Sequence, residues 1–93
     1  MPERLFRKKP VVIRAVQYDG ANFDEVEAFL GGDFAGWRHY TAAPRLLIRT
    51  LENPEDPFQV PPGWWVLEGV RGEHYACEPG IFAETYEPVE DPS

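Results

Sequence analysis

Apolar positions fall in short alternating runs along most of this chain, and helical spacing is clear in one place. Val11-Val12-Ile13-Arg14-Ala15-Val16-Gln17-Tyr18 is rich in β-branched residues and closes on Asp19-Gly20, a turn signal, which predicts a first strand. Pro10 suits the start of that strand, where its missing N–H does least harm. Both faces of the run are largely apolar, so a central place in a sheet is expected, with Arg14 reaching the rim. Asn22-Phe23-Asp24-Glu25 then opens a helix, with Asn22 as the cap, Glu25 as its capping-box partner and Asp24 as favourable first-turn charge. Phe23, Val26, Phe29 and Leu30 make one apolar stripe, and Gly31-Gly32 ends it. A helix of about two turns is not stable alone, so its stripe is expected to lie on the sheet.

From Asp33 to Pro44 the pattern is irregular, with Phe34, Trp37 and Tyr40 spaced by three; it reads as one more helical turn or an aromatic-rich loop. Leu46–Leu51 is a second strand, and Glu52–Pro57 a polar loop broken by proline. Phe58-Gln59-Val60 is a short strand, and Pro57 and Pro61 on its flanks mark it as a protected edge. After the Pro61-Pro62-Gly63 turn, Trp64–Val70 and Glu73–Cys77 are two strands joined at Arg71-Gly72. Pro79 introduces a short helical segment with Phe82 and Tyr86 at i and i+4, and Glu87-Pro88-Val89 stops it. The expected architecture is α+β: a small, mainly antiparallel sheet of four to five strands, one helix packed on a face and a short C-terminal helical turn.

At 93 residues the chain is long enough for a single domain, 1–93, and too short for a deep cofactor cavity. Ten prolines and eight glycines agree with short elements joined by turns. One cysteine excludes an internal disulfide framework, and no His/Cys cluster points to structural zinc. The chain contains no apolar run of ~18 residues, so no spanning helix is expected, and no signal peptide either. The net charge of -7 is unevenly spread. Residues 1–14 carry Arg4, Arg7, Lys8, Lys9 and Arg14 against Glu3, a local balance of +4, while residues 52–93 balance at -9. Residues 1–9 thus form a basic N-terminal arm, and 90–93 a frayed tail. A basic arm can contact phosphates. This one is short and joined to an acidic body that repels nucleic acid at long range. The arm is expected instead to pair with the acidic tail or to be solvated.

Candidate chemistry is sparse. His74 and Cys77 differ by three along a strand and point to opposite faces, which argues against a nucleophilic dyad and against chelation of a metal. Cys77 would be a nucleophile only if His74 or His39 lowered its pKa, and a buried structural cysteine is the expectation. Glu68 and Glu73 flank a hairpin turn with no cleft or second functional group, and read as solvated. Phosphate-loop, dinucleotide, zinc-protease and serine-hydrolase motifs are absent, and Gly31-Gly32 follows a helix rather than opening one. No enzyme, metal or cofactor is expected. Trp37, Tyr40, Trp64 and Trp65, with Arg38, Arg45 and Arg49 near them in sequence, combine the residue types enriched in interface hot spots. They are the candidate binding residues.

Two stretches resemble a known family. Arg7-Lys8-Lys9-Pro10-Val11-Val12-Ile13, followed by Ala15-Val16-Gln17-Tyr18-Asp19-Gly20, is similar to the opening of a family of small tailed-phage and prophage proteins. Pro62-Gly63, Trp65-Val66, Gly69, Gly72-Glu73, Tyr75, Cys77, Pro79, Ile81-Phe82 and Thr85–Val89 resemble its closing segment, and together the matches cover about half the chain. The sequence departs from that pattern at Trp64, where an acidic residue is expected, and at Gly80, where an aspartate is, so no site is carried over. The resemblance implies a phage or prophage gene expressed in the bacterial cytoplasm. The expectation is a non-enzymatic accessory protein that binds a host or phage protein, or itself. Two alternatives stay open: an oligomer sequestering a host defence nucleotide through converging arginines, and a minor virion component.

Overall fold

The computed structural model describes residues 3–7, 9–39, 43–52 and 55–89. The chain is α+β, as its pattern predicts; among the described residues there are six strands, against the four to five expected, with two helices and a 3-10 turn. The order is β1 (Arg14–Gln17), α1 (Phe23–Leu30), the 3-10 turn Gly31–Asp33, β2 (Phe34–Arg38), β3 (Arg45–Ile48), β4 (Phe58–Val60), β5 (Trp65–Glu68), β6 (His74–Cys77) and α2 (Pro79–Thr85). The strands divide between two three-stranded sheets, β1-β5-β6 and β2-β3-β4, in which every pairing is antiparallel. β4 is an edge, as its flanking prolines suggest. The expectation for the first strand is corrected: β1 is an edge, and β5 takes the centre of its sheet.

The Asp33–Pro44 segment also differs from its reading. Beyond the 3-10 turn, Phe34–Arg38 is strand β2 rather than a helical turn or loop, for a geometric reason, and residues 40–42 lie outside the described residues. Residues three apart on a regular strand point to opposite faces. The β2–β3 register slips between Phe34 and Gly36, and a bulge adds one residue. Gly36 accommodates it at φ +117, a conformation that favours glycine. Phe34 and Trp37 therefore share a face, their ring centroids 5.7 Å apart, and both pack on the core. Tyr40 lies outside the described residues.

One core joins the two sheets. Val26 and Leu30 of α1, Leu46 and Ile48 of β3, Val60 of β4, Val66 of β5 and Tyr18 are buried together. Tyr18 is the link between the sheets: its amide donates to the Trp64 carbonyl, its carbonyl accepts from Gly63, and its hydroxyl donates to the Pro44 carbonyl. The stripe Phe23, Val26, Phe29 and Leu30 lies against this core, with Phe23 at its rim, edge-on to Trp37 at 4.9 Å between centroids. One end of the core is closed by a polar row. Arg14, Glu68 and His74 stand side by side in register across β1, β5 and β6. His74 is 6% exposed and donates from Nδ1 to the Asp33 carboxylate at 2.7 Å, while its Nε2 lies 3.5 Å from Glu68. The Arg14 guanidinium sits over the Phe29 ring at 5.4 Å.

The start of α1 is held differently from the expected capping box. Asn22 makes no side-chain bond to a helix amide. Its amide side chain donates to the Glu25 carboxylate and the Gln17 carbonyl, so the two paired residues meet through their side chains. The turn is fastened by Asp19, whose Oδ1 accepts from the amides of Ala21 and Asn22 at 2.8 and 2.9 Å. Asp19→Ala should therefore cost about 1 kcal/mol, as for loss of a helix cap, and Asn22→Ala a similar amount. Urea unfolding of the two variants checks this; an unchanged midpoint for Asp19→Ala would show that the turn holds without its carboxylate.

Candidate binding groove

The central strand β5 has two covered faces. Adjacent Trp64 and Trp65 face opposite ways, as strand geometry requires. Trp64 packs toward the core, with its ring 6.1 Å from Phe58. Trp65 lies on the other face, flat against Phe82 of α2 at 4.1 Å between centroids and 8° between planes. Phe82 in turn stacks on Tyr86 at 5.0 Å, the predicted i, i+4 pair. α2 itself is started by Glu78, whose carboxylate accepts from the amides of Gly80 and Ile81 with Pro79 in the first turn. Leu67, fully buried, shares Trp65's face of β5.

α2 covers only part of that face. Between it and the chain preceding β1 runs an apolar groove of about 580 Å³. Its floor is Ala15, Trp65, Phe82 and Tyr86; one wall is Val11–Ile13 and the other Glu87–Val89. Val12 is 76% exposed and Val89 66%, so aliphatic groups stand on both lips. Among the described residues, Glu87 is the single charged residue in the lining. The volume falls within the range of ligand pockets, yet the lining holds no cluster of convergent polar groups, so what it fits is an apolar side chain or two. A smaller recess of about 400 Å³, lined by residues including Thr50, Phe58, His74 and Tyr75, lies on the molecule as well.

Tyr40 lies outside the described residues, and the other candidate binding residues do not meet on one surface. Trp37 is half-buried against Tyr18, Phe23 and Phe34, and its indole Nε1 donates to Glu27 at 3.1 Å. Arg49 is tied to the 3-10 turn, donating to the carbonyls of Gly32 and Phe34. Arg38 and Arg45 stand opposite each other in the β2–β3 register, at the far end of β3 from Arg49. Among the described members of the set, Trp65 alone lines the groove. The remaining groove residues were readable as pattern only: Val11-Val12-Ile13 as strand, Phe82 and Tyr86 as a helical pair. What hid their joint role is that they come from opposite ends of the chain.

Titration behaviour around α2 follows from its packing. Burial, then the hydrogen bond with Tyr86 and then the neighbouring Tyr86, Glu73 and Cys77 groups push the Tyr75 phenol up to about 12. A raised phenol favours the neutral side chain in the folded state, so its contribution is complete below the ordinary value near 10 and is lost as pH rises through about 12. Alkaline unfolding should accordingly begin above pH ~10 and be shifted by Tyr75→Phe. Tyrosinate absorbance against pH, with circular dichroism alongside, reads both; an identical alkaline transition in the variant would refute the linkage. Burial, and next the Glu78 charge, likewise push the Cys77 thiol up, away from the thiolate a nucleophile requires. Among the described residues no group of three or more His, Cys, Asp or Glu could hold a metal ion, and no helix is long and apolar enough to cross a membrane.

No protein-family profile, curated protein or solved structure matches this chain.

Proposed function

We propose that the protein is a non-enzymatic accessory protein of phage or prophage origin, acting in the bacterial cytoplasm by holding a polypeptide in its apolar groove. The observation that carries this reading is the groove itself: an aromatic floor with exposed aliphatic lips, open to solvent and nearly free of polar groups. Exposed contiguous apolar surface of this kind marks interaction sites, and an extended segment with one or two apolar side chains is the occupant it suits. The resemblance of the chain's two ends to phage and prophage proteins supports the origin, and those same ends build the groove. The nucleotide alternative draws on the facing Arg38 and Arg45, but Arg49 does not join them, because its guanidinium holds the 3-10 turn.

A photo-crosslinking residue at Val89, in the full chain expressed in the bacterial host, should give a discrete polypeptide adduct. The same residue at Val70, as exposed as Val12 but on the β5–β6 turn, should give none. Equal labelling at both positions, no adduct at Val89, or a nucleotide as the sole ligand in native mass spectrometry would each overturn the proposal.

A further inference from the structure

We infer that the outer edge of β6 is a second docking site, which takes as an added strand an extended polypeptide segment of alternating apolar and basic residues. It stands apart from the groove, since the described linings of the two places share no residue.

The strand register shows which groups this edge offers. Gly69 donates to the Glu73 carbonyl, and Tyr75 and Cys77 face Leu67 and Trp65 across the same ladder. Bonded and non-bonded pairs alternate in an antiparallel ladder, so Glu73, Tyr75 and Cys77 turn their backbone groups to β5. The N–H and C=O groups of His74 and Ala76 therefore point away from it. Among the described residues β5 is the one strand beside β6. The recess of about 400 Å³ runs along this edge. Glu73, His74, Tyr75 and Ala76 all line it, and no residue of β5 does. Consecutive residues belong to opposite faces, so the recess follows the edge and does not lie over a face.

The other three sheet edges carry features that discourage an added strand. At the end of β1 the Gln17 carbonyl accepts from the Asn22 side chain. β2 is bulged next to Gly36, and β4 is three residues long between Pro57 and Pro61. β6 has no bulge, proline or lysine. An edge of this kind is a template for β-strand addition, in which main-chain bonds hold the segment and alternate side chains select it.

The opposite wall of the recess sets the chemistry of the occupant. Leu51 and Phe58 line it and are exposed, which suits apolar side chains on one face of the added strand. Glu52 and Glu73 line it too, and Asp56 lines an adjoining recess that shares Thr50, Glu52 and Phe58. Arg71, on the β5–β6 turn, is the nearest base in sequence. Basic side chains complement these carboxylates. Edge-to-edge pairing with a second copy about a two-fold axis would instead bring like charges together, so the occupant is a different, basic chain.

Titration of the full ¹⁵N-labelled chain with an end-capped heptapeptide of alternating lysine and valine, followed by NMR, tests the inference. The expected result is saturable binding in which the His74 and Ala76 amides shift most and gain protection from hydrogen exchange. The glutamate–valine counterpart should bind at least about tenfold more weakly, because its charges face Glu52 and Glu73. Ala76→Pro removes an outward N–H without taking a donor from the β5 ladder, and should weaken binding by about tenfold. Glu52→Lys alters an exposed side chain and should also weaken binding, so the test stands even if the proline disturbs the strand. Absence of saturable binding, equal binding of the glutamate peptide, or shifts centred on residues 11–13 and 87–89 would each overturn the inference. A polypeptide adduct at Val89 with no peptide response at β6 would uphold the groove and overturn the edge site.

Discussion

Trp37→Ala is expected to lower stability by about 3 kcal/mol, near the bottom of the ~3–5 kcal/mol range for removing a packed tryptophan, since the indole is half-buried. A domain of this length holds roughly 5–14 kcal/mol in all, so the change is a large fraction of the total. The side chain earns that weight by position. It stands on β2 against Tyr18, Phe23 and Phe34, and so joins α1 to both sheets in one aromatic cluster. Its Nε1 bond to Glu27 adds a polar tie to the middle of α1. Glu27→Gln keeps an acceptor at that place and should lose only a few tenths of that amount. Urea unfolding distinguishes the two: a lower midpoint at constant slope is the expected signature for Trp37→Ala. An unaltered midpoint would mean that the indole serves a surface role, as its residue type suggested in the sequence.

Leu46→Ala is expected to cost about 2–5 kcal/mol, because the leucine is fully buried in the central strand of its sheet. It faces Trp37 on β2 and Val60 on β4 in register, so the cavity left by truncation lies where neither neighbour can collapse into it freely. Leu47→Ala, on the opposite face of the same strand and half-buried, should cost clearly less. The buried cluster that holds Leu46 also holds Val66 of the other sheet, which makes the two sheets one cooperative unit. Tryptophan fluorescence and far-ultraviolet circular dichroism should then report the same transition, in the parent and in Leu46→Ala. Two separated transitions would show that the sheets fold independently.

Much of the fold is legible in the chain where local chemistry and tertiary packing ask for the same residues. The α1 stripe, the Gly31-Gly32 stop, the prolines around β4 and the Phe82–Tyr86 spacing each settle their own element, because the relevant contacts lie within a few residues. The turn at Asp19 is a near case: the residues were recognised as a turn and cap, but Asp19 rather than Asn22 supplies the oxygen. The side chains sit so close together that several donors compete for each acceptor, and only their final geometry picks the pairs.

Other features depend on distance along the chain. The β2 bulge converts a three-residue aromatic spacing from an apparent helical turn into one face of a strand, and a single inserted residue leaves no periodic trace. β1 has the doubly apolar pattern of a central strand because its faces meet the core on one side and the groove on the other, not because strands flank it. The aromatic and arginine residues that looked like one site are divided among the core, a strand pairing, a backbone tie and the groove floor. By itself, then, the sequence determined the α+β class, the short elements and their turns, and the opposite facing of Trp64 and Trp65. The tertiary structure alone decided that the strands form two sheets over one core, and that residues 11–13 and 87–89 meet around Trp65. The physical reason is that turns, stripes and strand alternation are local preferences. Strand order and the walls of a groove are set by which distant surfaces exclude water together.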